Sequence, residues 1–510
     1  MNNSTRVARN TLFLYANMVV TTVVQLIAVR LLLKALGIVD YGIYNVIGSV
    51  IAQIAFLNVA MSAATQRYLS YAIGENNKRK LSELFYGSCI LHLIIGVIVI
   101  FLVEVGGQYY IYNFLVAPIE RLDAASLLMH FITFSTFVNI VSVPYEADIN
   151  ANENMGAIAT INILDSLLKL GTALLISMYN GDRLVLFGVL TMTTLSTTCI
   201  LKVLYCRSKY PESHYKLHRI GDWKQLRNMT GFAMWNLIGA GCSVARYHGT
   251  GFILNRFFNI QANANYGVAQ QVNGMLLFFA GTILRAIRPQ IVKSQGAGDH
   301  HRVLRLSEIT CKITSLMVAY LGIPLFVMMD FVIRIWLGEG MSTDCTTFCQ
   351  YFIIIVLINQ LTTGLQICIE STGNIRRVQL IVGTMHLLAL PAGIICYSLG
   401  MNIEAIMQCI VVEEIIALFV RTWITHSQAK LNATHFLFKT IIPTSVTIII
   451  VCLSMLALRT LMTECNDWIT FFGIGIASSI LLSTVTYTIL LTSDERKHIN
   501  HILRIDRFWK

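Results

Sequence analysis

The chain has 510 residues, of which 55% are hydrophobic and 13% charged, and its mean hydropathy is +0.64. Soluble chains carry about a quarter charged residues, so this one lacks the polar surface of a soluble domain and calls for a lipid-facing exterior. The net charge of +11 would admit nucleic acid as a partner, but the charges are placed for a membrane.

A span needs about 20 mostly apolar residues. In chain order the sequence predicts fourteen: Thr11–Leu33, Ile43–Gln66, Leu84–Val105, Ala124–Val143, Ala157–Met178, Leu184–Tyr205, Gly231–Leu254, Tyr266–Ile287, Ile309–Met329, Phe348–Glu370, Val378–Tyr397, Ile403–Trp423, Thr440–Ala457 and Trp468–Leu490. The expected fold is an all-α polytopic membrane protein. Arg6 and Arg9 precede the first apolar run. That run reaches Leu33, too long for the hydrophobic region of a secretory leader, and no small-residue cleavage site follows it.

With the N-terminus placed inside, about 29 of the 38 Lys and Arg fall on inner segments. These are Arg6 and Arg9; Arg67 and Lys78 to Lys80; Lys202 to Arg227; Arg285 to Lys312; Arg376 and Arg377; Arg421, Lys430 and Lys439; and Arg496 to Lys510. About seven fall outside (Arg30, Lys34, Arg121, Arg183, Arg256, Arg334 and Arg459), and Lys169 and Arg246 lie inside spans. This bias predicts an orientation with both termini cytoplasmic. It also assigns the +11 to anionic lipid headgroups, with no nucleic-acid partner. The inner segment Tyr145 to Met155 breaks the pattern, since it carries only Glu146, Asp148 and Glu153. The longest connection, Cys206 to Thr230, is too short for a folded soluble domain, so function is built from spans and their connections.

A weak internal repeat is legible. Arg9-Asn10 corresponds to Arg227-Asn228, Phe13 and Asn17 to Phe232 and Asn236, and Tyr41-Gly42-Ile43 to Tyr266-Gly267-Val268. Arg67…Gly74 likewise corresponds to Arg288…Gly296. Six spans separate the copies, which gives a parallel repeat. The expected organisation is two pseudo-symmetric six-helix bundles, 1–218 and 219–430, framing a cavity. Residues 431–510 add two helices and a basic cytoplasmic tail.

Enzyme signals are absent: there is no Walker A sequence and no HExxH. Asp299-His300-His301 reads as a solvated turn after Gly296 and Gly298. Cys206, His214 and His218 lack zinc spacing. Most of the twelve cysteines, including Cys89, Cys199, Cys242, Cys368, Cys396, Cys409 and Cys452, sit in apolar runs as small hydrophobes. Cys345 and Cys349 have i,i+4 spacing, which disfavours a disulfide. No metal or cofactor is expected.

Ionisable residues inside spans carry the functional signal, because each costs about 2.5–3.5 kcal/mol at a helix centre and therefore turns toward an interior or a water-filled cavity. Arg246 lies roughly 6 Å past the middle of its span at ~1.5 Å per residue. It reads either as a cationic site for a phosphate or as one half of a pair with a carboxylate on another helix. Asp165 and Lys169 share one face of the fifth span. They form either a self-neutralising pair or a switchable one, in which a substrate phosphate takes Lys169. Glu413 and Glu414 sit mid-span as proton or cation candidates or as partners for Arg246. Being about 100° apart on the helix, only one is expected to face a cavity squarely. Arg30, near the outer end of the first span, either snorkels or binds substrate. Glu370 is interfacial. The glycines of the seventh span serve close packing or a gating bend.

The residues Leu36-Gly37…Tyr41-Gly42-Ile43-Tyr44 are followed by Pro144 closing the fourth span and by Arg288-Pro289 with Gly296-Ala297-Gly298-Asp299. Ile335-Trp336-Leu337-Gly338 and Ser371-Thr372-Gly373-Asn374 complete the series. In their order and placement over nearly the whole chain, these motifs resemble those of polysaccharide flippases in the multidrug/oligosaccharidyl-lipid/polysaccharide (MOP) exporter superfamily. The resemblance implies two six-helix bundles in a V, alternating access and a cationic cavity, with Arg30 and Arg246 in the comparable basic places. The implied cargo is an undecaprenyl-pyrophosphate-linked oligosaccharide for O-antigen or capsule, flipped from the cytoplasmic to the periplasmic leaflet. Fourteen spans depart from the usual twelve and are similar to lipid II flippases. The expected substrate site is Arg246, Arg30 and Lys169, with H+ or Na+ coupling at Glu413, Glu414 or Asp165. Expected partners are membrane lipids and the polymerase or glycosyltransferases of the same polysaccharide. On this reading Arg246→Glu abolishes transport and leaves expression intact. Two alternatives stand beside it. One is an ion-coupled multidrug or small-molecule exporter of the same superfamily. The other is a membrane glycosyltransferase or ligase, for which the loop Gly106 to Asp123 offers little.

Overall fold

The computed structural model describes residues 3–52, 55–115, 117–214, 223–338, 343–462, 466–491 and 496. Among them there is no strand. The helices are α1 (Asn3–Ala52), α2 (Ala55–Gly74), α3 (Lys78–Asn113), α4 (Leu122–Ala151), α5 (Met155–Met178), α6 (Arg183–Lys209), α7 (Trp223–Phe257), α8 (Ile260–Gly296) and α9 (His300–Val327). They continue with α10 (Met329–Leu337), α11 (Thr343–Gln360), α12 (Thr363–Thr372), α13 (Arg376–Ser398), α14 (Ala405–Ala429), α15 (Ala433–Phe436), α16 (Ile442–Leu461) and α17 (Asp467–Val485). Among the described residues, ten stretches are long and apolar enough to cross a membrane, or eleven if the bent pair α11 and α12 is one span. The chain is a multi-pass helical membrane protein. The fourteen expected spans fall on helices among the described residues, but α7 and α14, which carry Arg246, Glu413 and Glu414, are not among those ten or eleven, nor is α2. The expected repeat partners Arg9 and Asn10 have no described side chains, and His218 and the tail beyond Arg496 lie outside the described residues.

Large apolar side chains stand exposed along the helices, such as Phe101, Leu102, Ile476 and Ile480. A soluble protein rarely exposes contiguous apolar surface on this scale. In a bilayer it is the solvated face.

The chain divides into two compact units, Met1–Leu237 with Val292–Gly298, and Ile238–Ile291 with Asp299–Lys510. In the first, buried Ile47, Leu128, Met129, Ile140 and Ile176 tie α1 to α4 and α5. In the second, Tyr266, Phe348 and Phe352 form an aromatic centre joined by Tyr247, whose ring stacks on Phe352 at 6.4 Å. Helices α16 and α17 pack on α9 through Ala319, Ile323, Val451, Ile474 and Leu482.

Three expected boundaries move. Helix α1 runs through the first predicted span and into the start of the second, whose remainder lies on α2, with a break inside α1 at Gly37 (φ 75°), a conformation that glycine adopts without a side-chain penalty. Pro144 does not close the fourth span, since α4 continues to Ala151 around a buried proline. Membrane helices tolerate the lost donor because neighbouring helices shield the freed carbonyl from lipid. The predicted tenth span is broken into α11 and α12 with a 45° bend.

Three of the seven cations predicted for the outer side are paired with carboxylates. Arg121 reaches Asp40 at 2.6 Å and Asp182 at 2.8 Å, Arg334 reaches Asp467 at 3.0 Å, and Arg459 reaches Asp330 at 2.8 Å. The acidic segment at 145–155 is paired as well, Glu146 with Lys202 at 2.7 Å and Glu153 with Lys293 at 2.8 Å, while Asp148 is fully buried and accepts from Asn152. Its missing basic residues are supplied by other helices.

Asp182 also caps α6, accepting from the amides of Leu184 and Val185. Burial pushes its carboxyl up, but the hydrogen bond and charge of Arg121 and the two amides prevail and hold it below the usual carboxylate range. A depressed native value adds stability above the unfolded pKa of about 4, and that stability is lost as pH falls through the native value. Asp182→Asn is therefore expected to lower the thermal midpoint at neutral pH by an amount worth about 1 kcal/mol or less, this being a partly exposed pair. The difference from wild type should shrink below pH 4. A midpoint difference that is constant from pH 7 to pH 3 would refute this account.

Candidate functional site

The second unit holds a buried ionic cluster. Arg246 from α7, Glu413, Glu414 and Arg421 from α14, and His386 from α13 are all buried, with Arg246 4% and Glu414 1% exposed. The Arg246 guanidinium donates to Glu413 Oε2 through Nη1 and to Glu414 Oε1 through both Nη1 and Nη2 at 3.1 Å. Such a forked donor suits two carboxylates in a way an ammonium does not. Arg421 Nη1 lies 3.6 Å from Glu414 Oε2 and donates to Thr362 Oγ1 at 3.2 Å. Asn359 Nδ2 completes the shell of Glu414 Oε2 at 3.3 Å.

The bend between α11 and α12 explains two of these contacts. Asn359 and Thr362 flank the interruption at 361–362, so polar groups from an otherwise apolar span face the cluster. Arg246 also sits over the ring of Tyr247, 5.4 Å from its centroid. In this shielded setting two guanidinium and two carboxylate groups balance, which is the arrangement that keeps buried charge tolerable.

His386 Nδ1 lies 3.0 Å from Glu413 Oε1, but neither atom has an aligned hydrogen bond among the described residues. The ion-pair distance is met and the alignment is not. A neutral ring with Nδ1 bare leaves both atoms as acceptors, whereas a ring carrying its proton on Nδ1, neutral or charged, can donate to Glu413 Oε1 once the two are aligned. With His386 neutral the five side chains sum to zero, and with His386 protonated they sum to +1. His386, Glu413 and Glu414 offer ligand atoms within 4.8 Å of one another, but Arg246 already occupies both carboxylates. The donor set therefore suits a proton better than a metal ion.

Of the residues predicted from sequence, Arg246, Glu413 and Glu414 come together and the others do not join them. The expectation that only one of Glu413 and Glu414 could face the site squarely is corrected: both reach the same guanidinium, because it spans the ~100° between them. Lys169 pairs with Asp165 at 2.7 Å in the first unit. It lines a cavity of about 160 Å³ with Gln25, Tyr44, Thr172 and Phe187. Arg30, on α1, is exposed, and Glu370 pairs with Arg288 at 3.2 Å. Asp299 caps α9, accepting from the Arg302 amide at 3.0 Å, which is the solvated turn expected of that motif. Cys345 and Cys349 are buried free thiols, and Cys206 is buried against the Tyr145 carbonyl.

Sequence reasoning missed His386, Arg421, Asn359 and Thr362. His386 carried a signal, an ionisable residue within the span Val378–Tyr397. Arg421 was sorted with the inner loop cations although it is buried two turns of helix from Glu414.

Residues 14–175 match the MatE family. No curated protein matches the chain. Among solved structures, MATE in the straight conformation has a TM-score of 0.72 at 12% identity, covering 84% of this chain and 97% of that one. An outward-facing multidrug resistance MATE transporter of the MOP superfamily has a TM-score of 0.71 at 12% identity, covering 84% and 96%. A MOP-superfamily transporter from Pyrococcus furiosus, described by a binding pocket of reverse polarity, has a TM-score of 0.69 at 12% identity, covering 86% and 97%. The chain has the fold of MATE transporters.

The charge-reversal expectation for Arg246 changes with this geometry. Arg246→Glu places three carboxylates together in a buried site, so it should prevent folding rather than spare expression. Removing one partner of a buried pair costs about 3–5 kcal/mol. Arg246→Ala is therefore expected to give little monodisperse protein in detergent. The charge-balanced double variant Arg246→Met, Glu413→Gln, which leaves Glu414 with Arg421, should recover much of the yield. A stable, monodisperse Arg246→Ala protein would show that the cluster does not hold the unit together.

Proposed function

We propose that this chain is an ion-coupled exporter of the MOP superfamily, moving an amphipathic organic molecule out of the cytoplasm of a bacterium. The observation that carries this reading is the buried, charge-balanced cluster in a transporter fold, with His386 in a position to change its net charge by one. Coupling requires that a proton be bound more tightly in one conformation than in the other. A buried imidazole against a carboxylate supports this reading, because a charge added there depends on the packing of α13 and α14 around it. The charged groups beside His386 are Glu413 directly and Glu414, which are in turn held by Arg246 on α7, Arg421 on α14 and Asn359 at the end of α11. The basic-inside distribution supports cytoplasmic termini, and the multidrug MATE relatives of the same fold support a small-molecule cargo.

A second reading is a flippase for lipid-linked oligosaccharide, acting with membrane lipids and beside a polymerase or glycosyltransferases. Two observations favour it. One is the ordered motif series from Leu36-Gly37 to Ser371-Thr372-Gly373-Asn374. The other is a cavity of about 630 Å³ in the second unit, lined by Phe258, Asn259, Gln261, Asn265, Asn402 and Glu404 among others. Amides, carboxylates and an aromatic face suit sugar hydroxyls. In this reading Arg246 is not free for phosphate, so Lys169 or Arg30 would take that role.

Deletion of the gene separates the two. Restored export of ethidium by the wild-type copy, with normal surface glycan, supports the exporter. Undecaprenyl-pyrophosphate oligosaccharide accumulating in the deletion strain, with loss of surface glycan, supports the flippase and displaces the exporter. For the coupling site, His386→Gln in proteoliposomes is expected to lose pH-gradient-driven ethidium transport while retaining ethidium binding. Unchanged pH-driven rates in His386→Gln would remove His386 from the mechanism.

A further inference from the structure

Two half-buried thiols meet across α13 and α14, with Cys396 Sγ 3.7 Å from Cys409 Sγ. Three features make the contact more than apolar packing. The helices are drawn together nearby, since a Cβ on Gly393 would strike the side chain of Ile406. Both thiols line a cavity of about 410 Å³, together with Met385, Leu388, Val412 and Glu413, so a reagent can reach them. Both also lie close to the connection 399–404, Cys396 in the last turn of α13 and Cys409 in the second turn of α14. With Arg376 and Arg377 starting α13 on the basic inner side, this connection faces the extracytoplasmic space, where disulfides persist.

We propose that Cys396 and Cys409 are a redox-modification site, joined as a disulfide by an oxidised dithiol protein or a low-molecular-weight disulfide of the extracytoplasmic space. One cysteine thiolate attacks the oxidant's disulfide, forming a mixed disulfide and releasing one thiol. The second cysteine thiolate then attacks the first cysteine's sulfur and releases the other oxidant thiol. The pair loses two protons and two electrons, and the oxidant gains them. The sulfurs must close from 3.7 Å to about 2.05 Å, a shift within the reach of two side chains that already touch. Helix α14 carries Glu413 one turn beyond Cys409, so the bond fixes the helix that holds the ionic cluster. This consequence for transport rests on the exporter reading, whereas the bond itself does not.

The test uses the full chain in nanodiscs, treated with oxidised glutathione and then with dithiothreitol. Peptide mass spectrometry should find Cys396 linked to Cys409, two hydrogens lighter, and no such link in Cys396→Ser or Cys409→Ser. Amide hydrogen exchange across 405–412 should slow several-fold on oxidation, return on reduction, and stay unchanged in the two serine variants. Thiols that remain alkylatable after oxidant, or a link that leaves exchange across 405–412 unaltered, would overturn the proposal. If bond and exchange behave as expected and no ethidium transport is detected in either redox state, the modification site stands and the exporter reading falls.

Discussion

Everything in the second unit depends on one constraint: two carboxylates, Glu413 and Glu414, are adjacent on a membrane helix and must be neutralised away from water. An isolated ion in such a place is prohibitive, and attraction offsets desolvation only with close geometry and filled hydrogen-bond shells. Arg246 alone cannot fill the shells of four carboxylate oxygens. Asn359 and Arg421 attend the second oxygen of Glu414, and His386 lies against the second oxygen of Glu413 without an aligned hydrogen bond among the described residues. The result constrains α7, α13 and α14 together with the interruption between α11 and α12. A 45° break in a span costs helix hydrogen bonds. Here it places polar groups at 359 and 362 where the cluster needs them, and Thr314 Oγ1 donates to the freed Gln360 carbonyl at 3.4 Å.

The ionic contacts of the first unit belong to a different regime. Arg121 with Asp40 and Asp182 joins the end of the α1 break, the start of α4 and the cap of α6, but its partners keep substantial solvent contact. Screening limits such pairs to roughly 1 kcal/mol or less. Their role is to fix where helices begin at the surface. Asp165 and Lys169 neutralise each other one turn apart on α5, so they require no second helix and constrain none. Two intramembrane charge pairs that look equivalent in sequence thus differ: one closes on itself, and the other organises a bundle.

Apolar runs and the distribution of Lys and Arg made the helical membrane class legible, because the bilayer selects for both directly. Arg246, Glu413 and Glu414 were legible as special because charge within a span is costly wherever it occurs. Their mutual pairing was not. Residues 246 and 413 are far apart in the chain, and spacing carries no information about which helices meet. His386 was hidden for a related reason: a lone histidine in an apolar run looks like ordinary packing until the carboxylate opposite it is known. Pro144 misled because proline ends helices in water, whereas within a bundle the helix continues through it. Gly37 worked the other way, breaking α1 internally at a point where sequence suggested only a gap between spans.

The charge balance of the cluster determines what it can do. Two guanidinium groups and two carboxylates leave no net charge for a permanent cation or anion to answer, so tight binding of either would have to displace a partner and leave it buried and bare. Adding a single proton at His386 avoids that cost. It breaks no hydrogen bond at His386 Nδ1 or Glu413 Oε1, which have none among the described residues, and changes the local charge by one. At an effective dielectric constant of 20, one unit charge about 4 Å away is worth ~4 kcal/mol. A conformational equilibrium responds strongly to a difference of a few kcal/mol. In the exporter we propose, such a proton would bias α13 and α14 while the remaining ion pairs hold the unit together.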